Sequence, residues 1–466
     1  MAHFYMIGIG GAGMSVIAEL FIAQGHRVSG SDREESANTQ TLRNLGAAIY
    51  IGHAAENVPA DAIVVVSSAI KEMNPELACA RLRGQQILHR SQALALAAGN
   101  RDFVAVAGAH GKTSTSAMLA VALEHLGLDP SRAIGGTLVG GGAGGYCGSG
   151  SIFIAEADES DASFLNYTPR VEIVTNVEPD HLDHYGSREN FEQAFVDFAH
   201  CLVPHGVLIA CADDSGSHAL ARQAAADGIR VIMYGRAAQE ESMAAAGIEY
   251  ARLSDVLPRE GASASGTIAF RGAQYPLDLS VPGEHMLLNA VGAWLAGVDL
   301  GVDACDMARA LRAFRGASRR FELVGTSHGV RVIDDYAHHP TEIAATLITA
   351  RCASRGAVRV LFQPHLYSRT QNFAQEFAQA LSAADDVIIT GVYAAREVPS
   401  DGAEGDAIAE LMVGVPFIAD MHEAARELAR HAQPGDLLMT VGAGSVTAMG
   451  SVILDELNAH CALDEQ

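Results

Sequence analysis

With 466 residues, 49% of them hydrophobic and 18% charged, the chain is too long for one compact core and too apolar to be mainly disordered; its length predicts about three domains. The formal net charge of -24 disfavours nucleic acid as a partner, although local amides and a few cations can still hold a small phosphate-bearing ligand. The 7 cysteines form no CxxC pair and their number is odd, so we expect neither a zinc site nor a full disulfide set. This cysteine usage is typical of a protein in a reducing cytoplasm.

The chain begins with a predicted strand over residues 4–9, which runs through a glycine-rich turn at 8–13 into a predicted helix over 14–23. No lysine or arginine precedes this stretch and Glu19 interrupts it, so we expect neither a signal peptide nor membrane insertion. Asp32 ends the next predicted strand, and with the glycines it satisfies the dinucleotide-binding fingerprint. This pattern leaves open a nicotinamide-dependent dehydrogenase or a redox-sensing binding module.

The strongest local signal is a phosphate loop between a predicted strand at 103–107 and a predicted helix at 113–125. In such a loop, backbone amides and the helix N-terminus face phosphates, the lysine reaches them and a hydroxyl reaches Mg²⁺. Of the 31 lysine and arginine residues, only Lys71 and Lys112 are lysines. The chain uses arginine almost everywhere else, so a lysine in this loop indicates a specific role. The planar arginine fork cannot replace a compact ammonium in a tight turn. The loop residues are Gly108, Ala109, His110, Gly111, Lys112, Thr113 and Ser114.

Polar clusters follow two strands downstream of this loop. Four acids between residues 156 and 161 follow the strand predicted at 152–155, and carboxylates beside a phosphate loop suit Mg²⁺. His181 follows the strand predicted at 171–177, where a metal ligand, a general base and a structural role all remain open. Nine of the sixteen residues from 135 to 150 are glycine, which predicts a loop that is mobile unless a ligand binds, or a plain surface connector.

A third α/β unit is predicted from about residue 314, with strands at 330–334, 358–362, 386–390 and 437–441. The polar segments 334–340 and 363–370 follow two of these strands, at the sheet edge where ligands bind in open α/β folds. Between the second and third units, residues 258–275 predict short antiparallel strands and turns.

Together these motifs resemble the Mur ligases of peptidoglycan synthesis, and among them the branch that adds L-alanine. The resemblance covers nearly the whole chain and implies an α/β fold with three domains. These are an N-terminal Rossmann-like domain for the UDP sugar (1–98), a central P-loop ATPase-type α/β domain for ATP and Mg²⁺ (99–314), and a C-terminal Rossmann-like α/β domain on the amino-acid side (315–466). The blocks that carry it are 8–15 with Asp32, 67–70, 108–113, 156–165, 180–183, 282–289, 334–340 and 363–370.

The resemblance also implies roles for individual residues. The UDP-sugar site would be lined by Gly10, Gly11, Gly13, Met14, Ser15, Asp32, His53 and Ser67. Besides the phosphate loop, Asn289, Arg320 and Asp335 would hold ATP. Thr113, Glu156 and His181 would bind Mg²⁺, and His365 and Arg369 would contact the substrates. The catalytic set would be Lys112, Glu156, His181, His338 and Arg369.

The implied reaction joins L-alanine to UDP-N-acetylmuramate through an acyl phosphate, with release of ADP and phosphate. No lysine follows Lys112, so the carbamylated lysine of several other Mur ligases cannot occur, which also favours the L-alanine-adding branch. A related ligase with a murein tripeptide as acceptor stays open as an alternative, and the oligomeric state is not predicted. The sequence departs from the family pattern at three positions. Ala109 replaces the usual Thr, Met286 replaces the usual Asn, and Leu366 replaces a frequent Arg.

Overall fold

The computed structural model describes residues 1–139, 142–179, 182–259, 263–395, 397 and 405–464, and the chain forms two compact units. The first unit comprises Met1–Val256, Ser265–Leu279 and Leu287–Arg315, and it contains the first sheet and most of the second. The second unit comprises Leu257–Ala264, Ser280–Met286 and Gly316–Gln466, and it contains the third sheet. The α/β fold expected from the sequence is confirmed, with three sheets among the described residues, while the domain boundaries at 98/99 and 314/315 stay predictions.

The first sheet has the order β3-β2-β1-β4-β5, and all its pairs are parallel. Every residue of its central strand β1 is buried, as expected for a parallel sheet covered on both faces. Strands and helices alternate: β1 (His3–Ile7), α1 (Ala12–Ala23), β2 (Arg27–Asp32), α2 (Ala37–Asn44), β3 (Ala48–Ile51), β4 (Ile63–Val66), α3 (Pro75–Leu82), β5 (Ile87–His89) and α4 (Arg90–Ala98).

The second sheet has ten strands among the described residues, in the order β15-β14-β13-β12-β11-β10-β6-β9-β7-β8. Its pairs from β13 to β7 are parallel, and β7 and β8 pair antiparallel. The elements are β6 (Asp102–Ala107), α5 (Lys112–His125), β7 (Ser131–Ala133), β8 (Gly145–Tyr146), β9 (Ile152–Glu156), β10 (Val171–Val174), α6 (Leu182–Tyr185), α7 (Arg188–Ala199), β11 (Val207–Cys211), α8 (Ser215–Ala226), β12 (Arg230–Gly235), α9 (Glu240–Ala245), β13 (Glu249–Arg259), β14 (Ser263–Phe270), β15 (Ala273–Leu279), α10 (Glu284–Asp299) and α11 (Ala304–Ala310).

The described part of the glycine-rich segment 135–150 is packed rather than a free connector. A Cβ added to Gly144 would lie 2.2 Å from the backbone oxygen of Ile134, and one added to Gly148 would lie 2.1 Å from that of Asp129. The backbone N–H of Gly145 donates to the Glu19 carboxylate of α1 at 3.2 Å. The glycines therefore allow close backbone approach, which composition alone does not distinguish from mobility.

The third sheet has the order β16-β17-β20-β18-β19, with β16 antiparallel to β17 and the other pairs parallel. One hydrophobic cluster covers each of its faces. No helix in the described part of the chain is both long enough and apolar enough to cross a bilayer. The elements are β16 (Glu322–Ser327), β17 (Val330–Asp335), α12 (Pro340–Ala353), β18 (Val358–Phe362), α13 (Tyr367–Asn372), α14 (Ala374–Leu381), β19 (Asp386–Ile389), α15 (Asp406–Ala409), α16 (Met421–Arg430), β20 (Leu437–Val441) and α17 (Met449–Asp464).

Candidate active site

The turn 108–111 joins β6 to α5 and has the geometry of a phosphate loop. Gly108 (φ +130°) and Gly111 (φ +84°) adopt backbone conformations that L side chains rarely take. A Cβ on Gly108 would also lie 2.2 Å from Thr175 Oγ1, so no side chain fits there. The helix begins at Lys112 and its N-cap Gly111 supplies no side-chain cap, which leaves the N-terminus of α5 suited to an anion.

Two residues at the end of β10 hold this loop from the neighbouring strand. The Thr175 hydroxyl donates to the backbone oxygen of His110 at 2.5 Å. The Asn176 side chain accepts from the His110 backbone N–H and donates to its backbone oxygen, both at 3.0 Å. Sequence reasoning assigned no role to Thr175 or Asn176, and their position after a strand was the only signal.

Lys112 folds its side chain back over the loop. Its Nζ donates to the Gly108 backbone oxygen at 2.5 Å and to the two carboxylate oxygens of Glu159 at 2.8 and 3.0 Å. Burial alone would lower the pKa of Lys112, but the carboxylates of Glu159, Asp158 and Glu156 outweigh it and raise that pKa above its ordinary value. Lys112 is therefore a fixed positive charge in the loop, and Glu159 is a partner whose role the sequence did not reveal.

The four carboxylates of the acidic turn, defined as residues 156–161, have four different partners. Only one of these partners, Lys112, belongs to the phosphate loop. The contacts are Glu156 with the Gly135 backbone N–H at 2.8 Å, Asp158 with Arg90 at 2.8 Å, Glu159 with Lys112, and Asp161 with the Ser68 hydroxyl. Three of the four acids are thus engaged by side chains elsewhere in the first unit, which leaves Glu156 as the best candidate for a metal ligand.

Thr113 and Glu156 approach the same short segment beside the loop. A Cβ on Gly136 would lie 3.6 Å from Thr113 Cγ2, and one on Gly135 would lie 3.4 Å from Glu156 Oε2. A hydroxyl and a carboxylate are ligand types that Mg²⁺ takes beside nucleotide phosphates, so these residues fit the ion. His181 lies outside the described residues, and its metal role stays a prediction.

Asn289 reaches the phosphate loop from α10. A Cβ on Gly111 would lie 2.8 Å from Asn289 Oδ1, so the asparagine side chain packs directly on the glycine before Lys112. The fold thus brings together two predicted nucleotide-binding positions that are far apart in the sequence. The contact of Asn289 with a nucleotide stays a prediction.

The first glycine turn closes on the end of β2. The backbone N–H of Gly10 donates to Asp32 Oδ2 at 2.8 Å. Gly13 lies against the side chain of Arg90, because a Cβ on Gly13 would be 2.7 Å from Arg90 Nη1. Gly11 is exposed, whereas the predicted contact residues Met14 and Ser15 are buried, so their side chains belong mainly to the packing of α1.

His53 belongs to a polar network with Ser31 and the buried Glu76 beside the first sheet. Its Nδ1 lies 3.0 Å from Glu76 Oε2 and 2.9 Å from the Ser31 hydroxyl. The Glu76 side chain is completely buried and also accepts from the Tyr5 hydroxyl at 2.8 Å. Glu76, which sequence reasoning missed, therefore fixes the His53 ring. Ser67, directly after β4, is half-buried.

The second unit carries the remaining predicted residues. Asp335 ends β17 and accepts from the backbone N–H groups of Phe321 and Ala337, both at 2.8 Å. Burial raises the pKa of Asp335 to about 6, against the opposing effect of Arg320. Arg320 acts on the Asp335 carboxyl electrostatically, and its Nη1 also lies 3.6 Å from Oε1 of Glu342.

His338, His365 and Arg369 form one cluster in the second unit. The ring centroids of His338 and His365 are 5.7 Å apart, and Arg369 Nη1 lies 3.1 Å from His365 Nδ1. Leu366, one of the departures from the family pattern, has a φ of +67°, which is a strained conformation for a residue other than glycine. The structure thus brings these three predicted side chains together.

Three family models match the chain in order: the Mur ligase family catalytic domain over residues 3–101, the Mur ligase middle domain over 149–297, and the Mur ligase glutamate ligase domain over 319–444. A UDP-N-acetylmuramate–L-alanine ligase of Renibacterium salmoninarum is 50% identical over 460 residues, which are 98% of this chain and 96% of that relative. The solved UDP-N-acetylmuramate-alanine ligase of Thermotoga maritima is 28% identical with a TM-score of 0.78, covering 99% of this chain and 100% of that one. A solved murein peptide ligase of Psychrobacter arcticus is 25% identical with a TM-score of 0.69, covering 98% and 99%. With this identity over nearly its whole length, the chain belongs to the Mur ligase family.

Proposed function

We propose that this chain is an ATP-dependent ligase that joins L-alanine to UDP-N-acetylmuramate, a cytoplasmic step of peptidoglycan precursor synthesis. The observation that carries the proposal is the phosphate loop, where the Lys112 ammonium and the N-terminus of α5 converge beside the carboxylate of Glu156. This loop lies in a chain that is 50% identical to a relative named for the same reaction.

The phosphate loop supports a site for ATP. The N-terminus of α5 would meet the phosphates, and Lys112 would exchange part of its contact with Glu159 for the β- and γ-phosphates. Thr113 and Glu156, with His181, would hold Mg²⁺, which when bound neutralises charge on the phosphoryl group. Asn289, Arg320 and Asp335 would complete the nucleotide site. The two glycines allow the backbone to approach the phosphates without a side chain in between.

The proposed reaction activates a carboxylate and then forms an amide. The lactyl carboxylate of the sugar attacks the γ-phosphorus, ADP leaves, and an acyl phosphate forms. The amine of L-alanine attacks the acyl carbon, phosphate leaves, and the nitrogen loses a proton. Arg369 has the fork geometry that matches a carboxylate, and it would orient one substrate together with His338 and His365.

The first domain would hold the UDP part of the sugar nucleotide. Gly10 and Gly11 lie in the turn between β1 and α1, and Gly13 lies in the first turn of α1. This is the carboxyl edge of the first sheet, where nucleotide ligands bind in such folds. Asp32, His53 and Ser67 lie at the ends of neighbouring strands or in the loops after them. We propose residues 1–98, 99–314 and 315–466 as the three domains.

A murein peptide ligase is the second candidate, since a solved structure of that name is 25% identical to this chain. The higher TM-score and identity of the L-alanine ligase favour L-alanine as the acceptor. The dehydrogenase interpretation receives no support, because the segment with the first glycine turn matches a Mur ligase model.

The test is release of ADP by the purified chain with UDP-N-acetylmuramate and a panel of acceptors. L-Alanine should support turnover and the tripeptide should not, whereas the opposite preference would favour the second candidate. Lys112→Ala should lower turnover by on the order of 10³-fold, because a charge on the transferring phosphoryl group is lost. Lys71→Ala removes the other lysine and serves as the matched control. Full turnover by Lys112→Ala would refute the proposal.

A further inference from the structure

A series of side-chain contacts in the first unit connects the first glycine turn with the phosphate loop. It begins at Gly13, passes through Arg90 to the acidic turn, and ends at Lys112. Arg90–Asp158 and Glu159–Lys112 are ion pairs, Asp158 and Glu159 are adjacent in the chain, and the missing side chain of Gly13 leaves room for Arg90. The residues come from α1, α4, the acidic turn and α5. Neither the family resemblance nor the sequence motifs assigned a role to Arg90.

Arg90 is the first residue of α4 and lies between the two loops. Its Nη1 would be 2.7 Å from a Cβ on Gly13, and its Nη2 donates to Asp158 Oδ2 at 2.8 Å. The other oxygen of Asp158 accepts from the Ser160 backbone N–H at 3.0 Å. Both oxygens of Asp158 are therefore engaged, one by the first domain and one by the turn itself.

Asp158 and Glu159 are neighbours in the chain but form ion pairs with different cations, Arg90 and Lys112. Glu159, with a side chain only 3% exposed, holds Lys112 through both carboxylate oxygens. A second contact fixes the same turn to the first domain, since the Ser68 hydroxyl donates to Asp161. The place of Glu159 relative to Lys112 thus depends on contacts made by residues outside the central domain.

We propose that Arg90 is a positioning residue for the nucleotide site, which it supports through Asp158 by holding the acidic turn where Glu159 meets Lys112. This inference rests on the proposed function, because it takes the phosphate loop to bind ATP. Without Arg90, the Asp158 carboxylate loses its ion-pair partner and competes with the nucleotide phosphates for Lys112, with which it already interacts electrostatically. The loss therefore reaches the nucleotide site even though Arg90 touches no part of the phosphate loop.

The experiment is a double-mutant cycle on binding of a non-hydrolysable ATP analogue with Mg²⁺, measured by calorimetry on the full chain. Arg90→Gln should raise the Kd by on the order of tenfold. In an Asp158→Asn background the same change should alter the Kd less than about twofold, because its effect passes through that carboxylate. An effect of Arg90→Gln that is equal in both backgrounds, or absent from both, would overturn the inference.

Two further variants separate positioning from general damage. Arg90→Lys keeps a cation within reach of Asp158 and should restore most of the affinity for the analogue. A Kd as high as that of Arg90→Gln would contradict the ion-pair argument. This variant also tests the argument if Arg90→Gln folds poorly. Arg83→Gln removes an exposed arginine of the same domain, hydrogen-bonded to the Val58 backbone oxygen at 2.7 Å, and should leave the Kd unchanged.

A wild-type chain that binds the analogue but releases no ADP would refute the proposed function alone. Equal Kd values for wild type and Arg90→Gln would refute the inference alone.

Discussion

The carboxyl group of Glu172 should make the first unit less stable as the pH rises. Glu172 lies in β10, is completely buried, and neither of its carboxylate oxygens has a hydrogen-bond partner among the described residues. It stands in register with Ala105 and Leu208, which belong to the same hydrophobic cluster as the phenylalanines of α7. Burial raises the pKa of Glu172 well above its ordinary value, because ionisation in this apolar environment is strongly disfavoured.

The magnitude follows from the difference in protonation between the folded and unfolded chain. Above pH 4.5 the unfolded chain loses a proton that the folded one keeps, so each further pH unit lowers the free energy of unfolding by about 1.4 kcal/mol until the folded-state pKa is reached. Glu172→Gln abolishes this titration, so above pH 4.5 its advantage over the wild type should grow by up to about 1.4 kcal/mol per pH unit until the folded-state pKa is reached. Glu172→Met also removes the unpartnered polar group at similar volume and should gain about 1–3 kcal/mol more.

Thermal unfolding at several pH values provides the assay. In a unit of this size 1 kcal/mol corresponds to roughly 2 °C, so the difference in Tm between Glu172→Gln and the wild type should widen by up to roughly 3 °C for each pH unit. Glu34→Gln, a change at an exposed carboxylate, controls for the loss of one negative charge. A Tm difference that does not vary with pH, or a Glu172→Met variant less stable than the wild type, would refute the reasoning.

Three other changes have definite expected outcomes. Gly108→Ala should lower ADP release by on the order of 100-fold, since its Cβ would lie 2.2 Å from Thr175 Oγ1; unchanged turnover would show that the loop tolerates a side chain. Gly148→Ala should destabilise the first unit by about 2 kcal/mol, because its Cβ would lie 2.1 Å from the Asp129 backbone oxygen, and an unchanged Tm would contradict the packing of the glycine-rich segment. Burial lowers the pKa of His285 to about 4, so only the unfolded chain takes up this proton as the pH falls from 6.5 towards 4. The second unit should lose up to about 3 kcal/mol over that range, and His285→Gln should remove the loss; an identical acid response of both proteins would disprove the assignment.

The sequence predicted the elements of the parallel sheets closely where strands are buried on both faces. The strands at 358–362 and 437–441 have the observed bounds, and the helix expected from residue 113 begins one residue earlier, at Lys112. Each of these strands is apolar except for one residue, Arg359 or Thr440, so local composition is enough to predict it. The stretch at 258–275 was less well predicted, because two of its three strands extend beyond that range, to Glu249–Arg259 and Ala273–Leu279.

Glu172 shows where a local pattern misleads. The segment 171–174 contains one acid among three apolar residues, and an acid in a strand usually lies on a face that meets water. The helix α7 and its phenylalanines cover that face, so the carboxyl is buried. Whether a strand face meets water or a helix depends on elements distant in the sequence, and strand periodicity carries no information about them.

The sequence by itself determined the phosphate loop, since strand, glycine turn, lysine and helix are contiguous and their geometry follows from local backbone preferences. It also determined which residue types were available for the chemistry, above all the lysine at 112. Only the tertiary structure decided the partners of the acids. Asp158 and Glu159 are adjacent, yet one binds a cation 68 residues away and the other a cation 47 residues away. The physical reason is that an ion pair forms between side chains the packing of helices and sheets brings together, and that packing is a property of the whole fold.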